Sequence, residues 1–391
     1  MELKQAAARH LEETIIPFWT GLRDDANGGF IGYVGHDLQP DAGAPRGCIF
    51  NSRILWFFSS AYSLLGQPAL LDCARHACRY MERFADKTNG GLYWMCAADG
   101  RPTDTTKHTY NHAFAVYALA AYAKANGDEK ALARATELFE LIEGRMTKDG
   151  QYLDAFTDAF LPLSNDKLSD NPVLTARGVI AEKTMNTLLH VMEAYTLLYT
   201  VGRDARVRDR LLRLLELIQT KVYNPEQNRL DVFFDGGMRS LIDMQSYGHD
   251  IEASWLWDLA ADAVLMGDKL KRVKQINTRL AQGVLDRAFD GESLANEIVE
   301  GKTDAKRIWW VQAETMVGMA NLWKKTGDPA LIEKMDALWA YIQNRIVDPR
   351  PGGEWFAEID ASGKPLELPI ADPWKAPYHN GRMCLELMKR L

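Results

Sequence analysis

The chain has 391 residues, of which 47% are hydrophobic and 25% charged, and its formal net charge is −7. This composition is typical of a globular protein with a large core, and the lack of any basic stretch argues against a nucleic-acid partner. No apolar run is long enough to span a bilayer, and no secretory signal is recognisable. We therefore expect a cytoplasmic protein with no membrane association, whose five cysteines are reduced thiols.

Helical periodicity dominates the sequence. A helix is predicted over 3–22, and five helical hairpins and a closing helix then follow in chain order. The hairpins are predicted at approximately 51–86, 109–146, 181–223, 249–290 and 306–347, and the closing helix at 377–390.

A glycine stands at the turn of each hairpin, where it is expected to end the first helix. These glycines recur at intervals of 60 to 75 residues, which indicates stacked units of similar design. The first and last helices would make a sixth pair and close a ring. The sequence thus predicts an all-α fold, an (α/α)6 barrel of six helical hairpins in a single domain, 1–391. The turn glycines are Gly66, Gly127, Gly202, Gly267 and Gly327.

The connections between hairpins are long and rich in Gly, Pro and Asp. Three of them share a pattern of paired glycines, a short aromatic strand, an Asp-containing turn and a proline, which predicts short β-hairpins at one end of the barrel. Function usually concentrates in long loops on a rigid scaffold. The three segments read GGFIGYVGHDLQP, GGLYWMCAADGRP and GGEWFAEIDASGKP.

Polar and aromatic residues interrupt the apolar pattern near the start of the first helix of each hairpin. A lone histidine on an apolar helix face is usually a buried structural residue, but these positions all fall at the long-loop end. We therefore expect them to converge on one cleft. They are Asn51, Arg53, Tyr110, Asn186, His190, His249, Glu252, Trp309, Trp310 and Glu314, with Trp374 and His379 in the closing segment.

The titratable residues of this cleft are mainly histidines, which exchange protons near neutral pH. Two histidines on opposite walls suit a reaction that removes a proton from one face of a carbon and returns one to the other. Arg53 and Asn186 would stabilise an oxyanion. Glu252 lies three residues after His249 on one helix face and would orient that ring, while tryptophans would stack on sugar rings.

A metal site is not favoured by the sequence. The segment CARHAC contains Cys73, His76 and Cys78, but it reads as an amphipathic helix with the two cysteines about 140° apart round the axis. There is no HExxH motif, phosphate-binding glycine loop or dinucleotide fingerprint. The role of His112, in YNH at 110–112, is left open between pocket and core.

Taken together and in order, six motifs make the chain resemble the N-acylglucosamine 2-epimerase superfamily over essentially its full length. The resemblance is closest to the members that act on β-1,4-linked disaccharides. It implies an (α/α)6 barrel that acts on sugars with a free reducing end and needs no metal or nicotinamide cofactor. The motifs are FNSR, HTYNHAFAVYALA, MNTLLHVMEAY, YGHDIEASWLW, IWWVQAE and PWKAPYHNGRMCLEL.

The resemblance also implies a role for each site residue. His249 and His379 match the paired acid and base on either side of C2, and His190 matches a third histidine near O1 and O2. Arg53 matches the arginine that holds the enediolate oxygens. The residues that match the substrate-binding positions are Tyr110, Asn186, Trp309, Trp310 and Trp374.

The expected activity is 2-epimerisation at the reducing end of cellobiose, lactose or mannobiose, by a monomer or weak homo-oligomer. The nearest alternatives are an N-acylglucosamine 2-epimerase and a mannose-type aldose–ketose isomerase. A glycoside hydrolase on the same barrel would need two carboxylates that flank the scissile bond, for which Glu252 and Glu314 are the inner-face candidates. A non-catalytic sugar-binding protein would keep the tryptophans without needing histidines on both walls.

Overall fold

Six helices form an inner ring in the computed structural model, which describes residues 2–169 and 171–391. They are apolar round most of their circumference because neighbours flank them on both sides and a second layer covers them. One of them, for example, is buried at every residue from Thr109 to Ala123. The inner helices are Cys48–Leu65, Thr109–Asn126, Met185–Gly202, Tyr247–Val264, Trp309–Thr326 and His379–Arg390.

Each inner helix contacts the next one in chain order, and the last contacts the first, so the ring is closed. The predicted sixth pair is also present, because the first helix of the chain packs against His379–Arg390. The predicted (α/α)6 barrel is therefore confirmed.

The outer helices are amphipathic and bury one face against the inner ring. In Glu129–Arg145 the buried positions recur every three or four residues, from Ala131 to Ile142. The outer helices, with the 3₁₀ or π-helical turns that extend them, are Glu2–His10 with Leu11–Ile15 and Ile16–Gly21, Pro68–Met81 with Glu82–Phe84, Glu129–Arg145, Ala205–Leu217 with Ile218–Val222, Gly267–Ala288, and Ala330–Tyr341 with Ile342–Ile346.

The short turns partly follow the predicted glycine stops. Gly66, Gly127 and Gly327 end their helices in the left-handed conformation. The prediction is wrong at the other two turns. Gly202 is the last helical residue, and Arg203 takes the left-handed conformation instead. Gly267 begins the outer helix, because the inner helix already ends at Val264 and two extended residues follow it.

The long connections lie at the opposite end of the barrel and contain short antiparallel strands. In the three Gly-Gly segments a residue pairs with the proline six positions later, as in Val34 with Pro40 and Ile359 with Pro365, so the predicted β-hairpins are present. One further short helix, Pro172–Ala176, lies in a loop. The strands are Arg46–Gly47, Met95–Cys96, Pro102–Asp104, Lys107–His108, Thr147–Lys148, Gln151–Tyr152, Ala155–Phe156, Lys183–Thr184, Tyr223–Asn224, Arg229–Leu230, Phe233–Phe234, Met244–Ser246, Glu297–Val299, Lys302–Asp304, Arg307–Ile308 and Glu358–Ile359.

Buried cations tie these loops to the starts of the inner helices. Lys107, directly before an inner helix, binds the Asp86 carboxylate at 2.7 Å with both side chains almost fully buried. Lys375 binds Glu354 in the same way at 2.8 Å. Paired and desolvated charges of this kind have a demanding geometry, so they fix the loop end of the barrel in place.

None of the helices in the described ranges is both long and apolar enough to cross a membrane. All five cysteines lie within these ranges, and each is unpaired.

A close approach between two inner helices, at Gly318, gives a prediction about stability. A Cβ at Gly318 would lie 2.4 Å from Ile251 Cγ1 and 3.3 Å from its carbonyl oxygen. Gly318→Ala should therefore lower the free energy of unfolding by about 1–3 kcal/mol, as overpacking usually does, in a urea titration.

Gly144, near the end of an outer helix, is the matched control because a Cβ there meets nothing within 4 Å. Gly144→Ala should leave stability unchanged or raise it by up to about 1 kcal/mol through helix propensity. Equal effects of the two substitutions would contradict the close approach.

Candidate active site

A cavity of about 370 Å³ opens at the long-loop end of the inner ring. All of the residues that the sequence placed at this cleft, except Asn51 and Glu314, line the cavity. Trp374 is the most exposed of them, at 41%. The ten are Arg53, Tyr110, Asn186, His190, His249, Glu252, Trp309, Trp310, Trp374 and His379.

Two of the cavity histidines are held through Nδ1 by a buried carboxylate. His190 Nδ1 donates to Glu193 Oε2 at 2.9 Å, and His379 Nδ1 donates to Glu314 Oε1 at 2.8 Å. A carboxylate acceptor requires a proton on Nδ1. The Nε2 atom of each neutral ring is then unprotonated and free for a ligand in the cavity.

The third histidine has a different partner from the one predicted. His249 and Glu252 both face the cavity, but the Glu252 carboxylate binds the Arg382 guanidinium. His249 Nδ1 is instead 2.7 Å from the hydroxyl of Ser246, the residue directly before its helix. The prediction that Glu252 orients His249 is therefore wrong. Arg382, on the closing helix, binds the Glu252 carboxylate in place of His249.

Arg382 is the centre of a buried ionic network. Its Nη2 atom contacts Glu252 Oε1 and lies 2.7 Å from Glu314 Oε1, and its Nη1 atom lies 2.5 Å from Glu193 Oε1. One guanidinium thus bridges three carboxylates, all of them buried. Because two of these carboxylates also hold His190 and His379, Arg382 positions both rings indirectly.

The environment of this network shifts the pKa values of two of its carboxyl groups in opposite directions. Burial alone would raise the pKa of Glu193, but Arg382, His190 and Tyr378 outweigh it and bring that pKa to about 2. At Glu252 burial and the neighbouring Glu314 outweigh Arg382 and raise the pKa to about 8. Glu252 Oε2 has no hydrogen-bond partner among the described residues, so a protonated Glu252 could donate to a bound hydroxyl.

Glu252, Glu314 and His379 bring potential metal ligands within 4.8 Å of one another. The Arg382 guanidinium already binds both carboxylates and would repel a cation there. The residues therefore do not make a good metal site.

Both acid–base candidates, His249 and His379, pack against the Trp310 indole, with ring centroids 4.8 and 5.5 Å away. Trp309 also meets His379 edge to face at 5.4 Å. Gly248 allows the first of these contacts, because a Cβ there would lie 2.6 Å from the Trp310 ring. The tandem tryptophans thus hold the two histidines as well as lining the cavity.

Arg53 supplies a positive charge on the cavity wall. Its Nη2 atom donates to the Tyr110 hydroxyl at 3.0 Å, its Nη1 atom donates to the carbonyl of Trp374, and its guanidinium lies over the Phe114 ring. The carbonyl oxygen of the Asn186 side chain has no partner within the described part of the chain. Donors and acceptors are thus available near the histidines for an oxygen-rich ligand.

Burial keeps the histidines neutral. It lowers the pKa of His249 to about 3, with a smaller contribution from His190. It also places the pKa of His379 well below its ordinary value, helped by the positive charge of Arg382. Neutral imidazoles near pH 7 can accept protons as bases.

Two further histidines named from the sequence prove to be structural. His112 is buried outside the cavity lining, where Nδ1 donates to the His108 carbonyl and Nε2 accepts from the Leu92 amide. His76 lies on the helix Pro68–Met81 and binds backbone carbonyls through Nε2. The buried face of the segment CARHAC is thus part of the core, with Cys73, Ala74, His76 and Ala77 buried.

The sequence interpretation missed Ser246, Glu193 and Arg382. A usable signal existed for the last two, since Glu193 follows His190 by three residues and Arg382 follows His379 by three, the spacing that drew attention to Glu252. Ser246 also lies three residues from His249, but a serine directly before a helix is normally interpreted as a cap.

Comparison with known proteins places this barrel and site in a family. The model of the N-acylglucosamine 2-epimerase (GlcNAc 2-epimerase) family matches residues 29–382, and the chain belongs to this family of sugar epimerases.

Within the family its close relatives share one name. The cellobiose 2-epimerase of Eubacterium cellulosolvens is 45% identical over 97% of each chain. That of Dictyoglomus turgidum is 42% identical over 100% of this chain and 99% of its own. The solved structure of cellobiose 2-epimerase from Bacillus thermoamylovorans B4167 superposes with a TM-score of 0.95 at 40% identity, covering both chains fully.

The raised pKa of Glu252 predicts a pH effect on stability. Since the folded-state pKa of about 8 lies above the ordinary glutamate value of 4.5, the folded protein holds an extra proton between these values. This contribution to stability is lost as pH rises from about 4.5 to about 8. Relative to Glu252→Gln, the wild-type protein should lose up to about 1.4 kcal/mol of unfolding free energy per pH unit in this window.

Denaturation at pH 5, 6, 7 and 8 measures the difference between the two proteins. Asp154 and Asp250, whose pKa values burial raises to about 7, titrate in both proteins and cancel. Parallel stability curves would show that Glu252 is not protonated in the folded state.

Proposed function

We propose that this protein epimerises C2 at the reducing end of β-1,4-linked disaccharides such as cellobiose, lactose or mannobiose. The observation that carries the proposal is the arrangement of three imidazoles, each held at Nδ1, round one cavity that also contains Arg53. Inverting a carbon centre needs a proton donor and a proton acceptor near one atom, and a pair of histidines can supply both. The cellobiose 2-epimerases among its relatives support the same conclusion.

The reaction would start from the open-chain form of the reducing sugar, whose aldehyde makes the C2 proton acidic. His249 or His379 takes that proton through Nε2 and leaves a cis-enediolate. Arg53 stabilises the negative charge on O1 and O2, and His190 shuttles a proton between them. After rotation about C2–C3, the other histidine, which has taken up a proton from solvent, donates it to the opposite face. The first histidine then releases the abstracted proton to solvent.

A glycoside hydrolase is disfavoured by the position of the carboxylates. Such an enzyme needs two carboxyl groups on either side of the scissile bond, about 5–9.5 Å apart. Here Glu252 and Glu314 bind the same Arg382 nitrogen, with carboxylate oxygens within 4.8 Å of each other. Both carboxylates thus lie on the same side of Arg382 and are already bound by it, and only Glu252 lines the cavity.

The preference for a disaccharide rests on Trp374. This side chain lines the cavity, yet 41% of it remains exposed, whereas Trp309 and Trp310 lie against the histidines. An exposed aromatic face at the edge of the site suits a second sugar ring. Binding energy from that ring can orient the reacting unit.

We also propose that the protein acts in the cytoplasm. The support is its five unpaired cysteines, four of them buried, because thiols persist in a reducing compartment.

Incubation with cellobiose in D₂O tests the reaction. We expect ¹H NMR to show the epimer with mannose at the reducing end and deuterium at C2, because the abstracted proton exchanges with solvent. A ketose would indicate an isomerase, and free monosaccharides a hydrolase. An unchanged spectrum would indicate a binding protein.

Substitution of the two acid–base histidines tests their roles. His249→Ala and His379→Ala should each lower kcat about 10²–10⁴-fold, the usual contribution of a positioned acid or base. His36→Ala is the control, because His36 lies in a loop outside this cavity and should keep full activity. A folded His249→Ala variant with normal turnover would remove that residue from the mechanism.

Substitution of Trp374 tests the second sugar subsite. Trp374→Ala should lower kcat/KM for cellobiose about 5–150-fold, by analogy with aromatic stacking worth about 1–3 kcal/mol. The kcat/KM for glucose, which we expect to be lower than that for cellobiose in the wild type, should not change. Arg53 binds the backbone carbonyl at this position, so that contact survives the substitution. Trp374→Phe should recover most of the loss.

If wild-type protein turns over glucose or N-acetylglucosamine as efficiently as cellobiose, the second subsite does not exist. The N-acylglucosamine 2-epimerase or mannose-type alternatives would then replace the disaccharide assignment.

A further inference from the structure

Ser246 occupies a helix N-cap without capping the helix. It directly precedes Tyr247–Val264, but its side chain makes no capping hydrogen bond. Thr184 stands at the same place before Met185–Gly202 and does cap its helix, since its hydroxyl accepts from the Thr187 amide at 3.2 Å. Serine is favoured at N-caps because it satisfies a free amide. The Ser246 hydroxyl instead lies 2.7 Å from His249 Nδ1.

We propose that Ser246 is the positioning residue of His249. The Ser246 hydroxyl accepts the Nδ1 proton of His249 and so keeps the Nε2 lone pair directed into the cavity. Its catalytic consequence rests on the proposed function, but the hydrogen bond and the tautomer that it selects do not.

Packing alone leaves the ring of His249 underdetermined. Trp310 covers one face, with ring centroids 4.8 Å apart, and Gly248 makes this contact possible. Such a contact fixes the plane of an imidazole but does not distinguish its nitrogen atoms from its carbon atoms. The hydroxyl of Ser246 supplies that distinction, because it can form a hydrogen bond with a nitrogen at the Nδ1 position but not with a carbon.

The neutral partner distinguishes His249 from the other two cavity histidines, which are held by carboxylates. A carboxylate stabilises an imidazolium, whereas a hydroxyl adds no charge. The imidazolium of His249 therefore gains no stabilisation from its Nδ1 partner, which favours the free base at rest and a strong acid after proton abstraction.

Other charges near the ring are few or compensated. His190 stands on the neighbouring inner helix and His379 beyond Trp310, and both line the same cavity. Glu252, on the same helix, is bound to Arg382. Glu297 pairs with Ser246 on the adjacent strand, where burial raises its pKa and the positive charge of Lys306 opposes that shift.

The test compares three variants, Ser246→Ala, Ser246→Thr and Ser246→Asp, with Thr184→Ala as the control for loss of an N-terminal hydroxyl. Two-bond ¹H–¹⁵N spectra of the histidine side chains report the tautomer without substrate. We expect the Nδ1–H tautomer for His249 in the wild type and in Ser246→Thr, and a mixture in Ser246→Ala.

In turnover of cellobiose, Ser246→Ala should lower kcat about 10–100-fold, the range seen when a partner that orients a histidine is removed, with KM nearly unchanged. Ser246→Thr should recover activity. Ser246→Asp should move the acidic limb of the kcat/KM profile to higher pH, because the new carboxylate raises the pKa of His249. Thr184→Ala should lower the melting temperature without changing the tautomer or kcat.

The proposal would be overturned if Ser246→Ala kept the wild-type tautomer of His249 and a kcat within about twofold of the wild-type value. If Ser246→Ala failed to fold, the Ser246→Asp profile would decide, since an unshifted acidic limb contradicts contact with His249. If the wild-type protein epimerised no sugar, the proposed function would fail, and the tautomer measurement alone would decide the role of Ser246.

Discussion

The contact between the Arg382 guanidinium and three buried carboxylates is the constraint on which the rest of the site depends. Charged groups leave water to form this network, at a cost that mutual attraction recovers only with good geometry. Glu193, Glu252 and Glu314 lie on three different inner helices, and Arg382 lies on a fourth. The same contact therefore fixes the relative positions of these helices and, through Glu193 and Glu314, the orientation of two of the three cavity histidines.

The three histidines represent two ways of holding an imidazole in an apolar wall. Burial favours the neutral ring at all of them. Glu193 opposes this effect at His190, the positive charge of Arg382 adds to it at His379, and the Ser246 hydroxyl at His249 contributes no charge. A site that moves a proton from one face of a carbon to the other thus has chemically unequal sides, although the reaction itself is nearly symmetric.

The sequence was informative wherever local rules set the answer. Helical period and turn glycines give each helix a direction, and direction alone places His190, His249 and His379 at the same end of the ring. The errors arose where a long-range partner intervened. Glu252 is three residues from His249, but its partner Arg382 is 130 residues away in the chain. Gly267 follows the pattern of the other turns, yet its inner helix stops earlier, at Val264, which no local signal indicated.

The ring closes where the first helix of the chain packs against His379–Arg390, the last. That contact joins segments separated by almost the whole chain, so it carries the largest entropic cost of any in the barrel and forms late when folding proceeds from local contacts. The closing helix also carries His379 and Arg382. Until it docks, the three carboxylates lack their cation and the site lacks one of its two acid–base groups. The docking step that closes the barrel therefore also completes the active site.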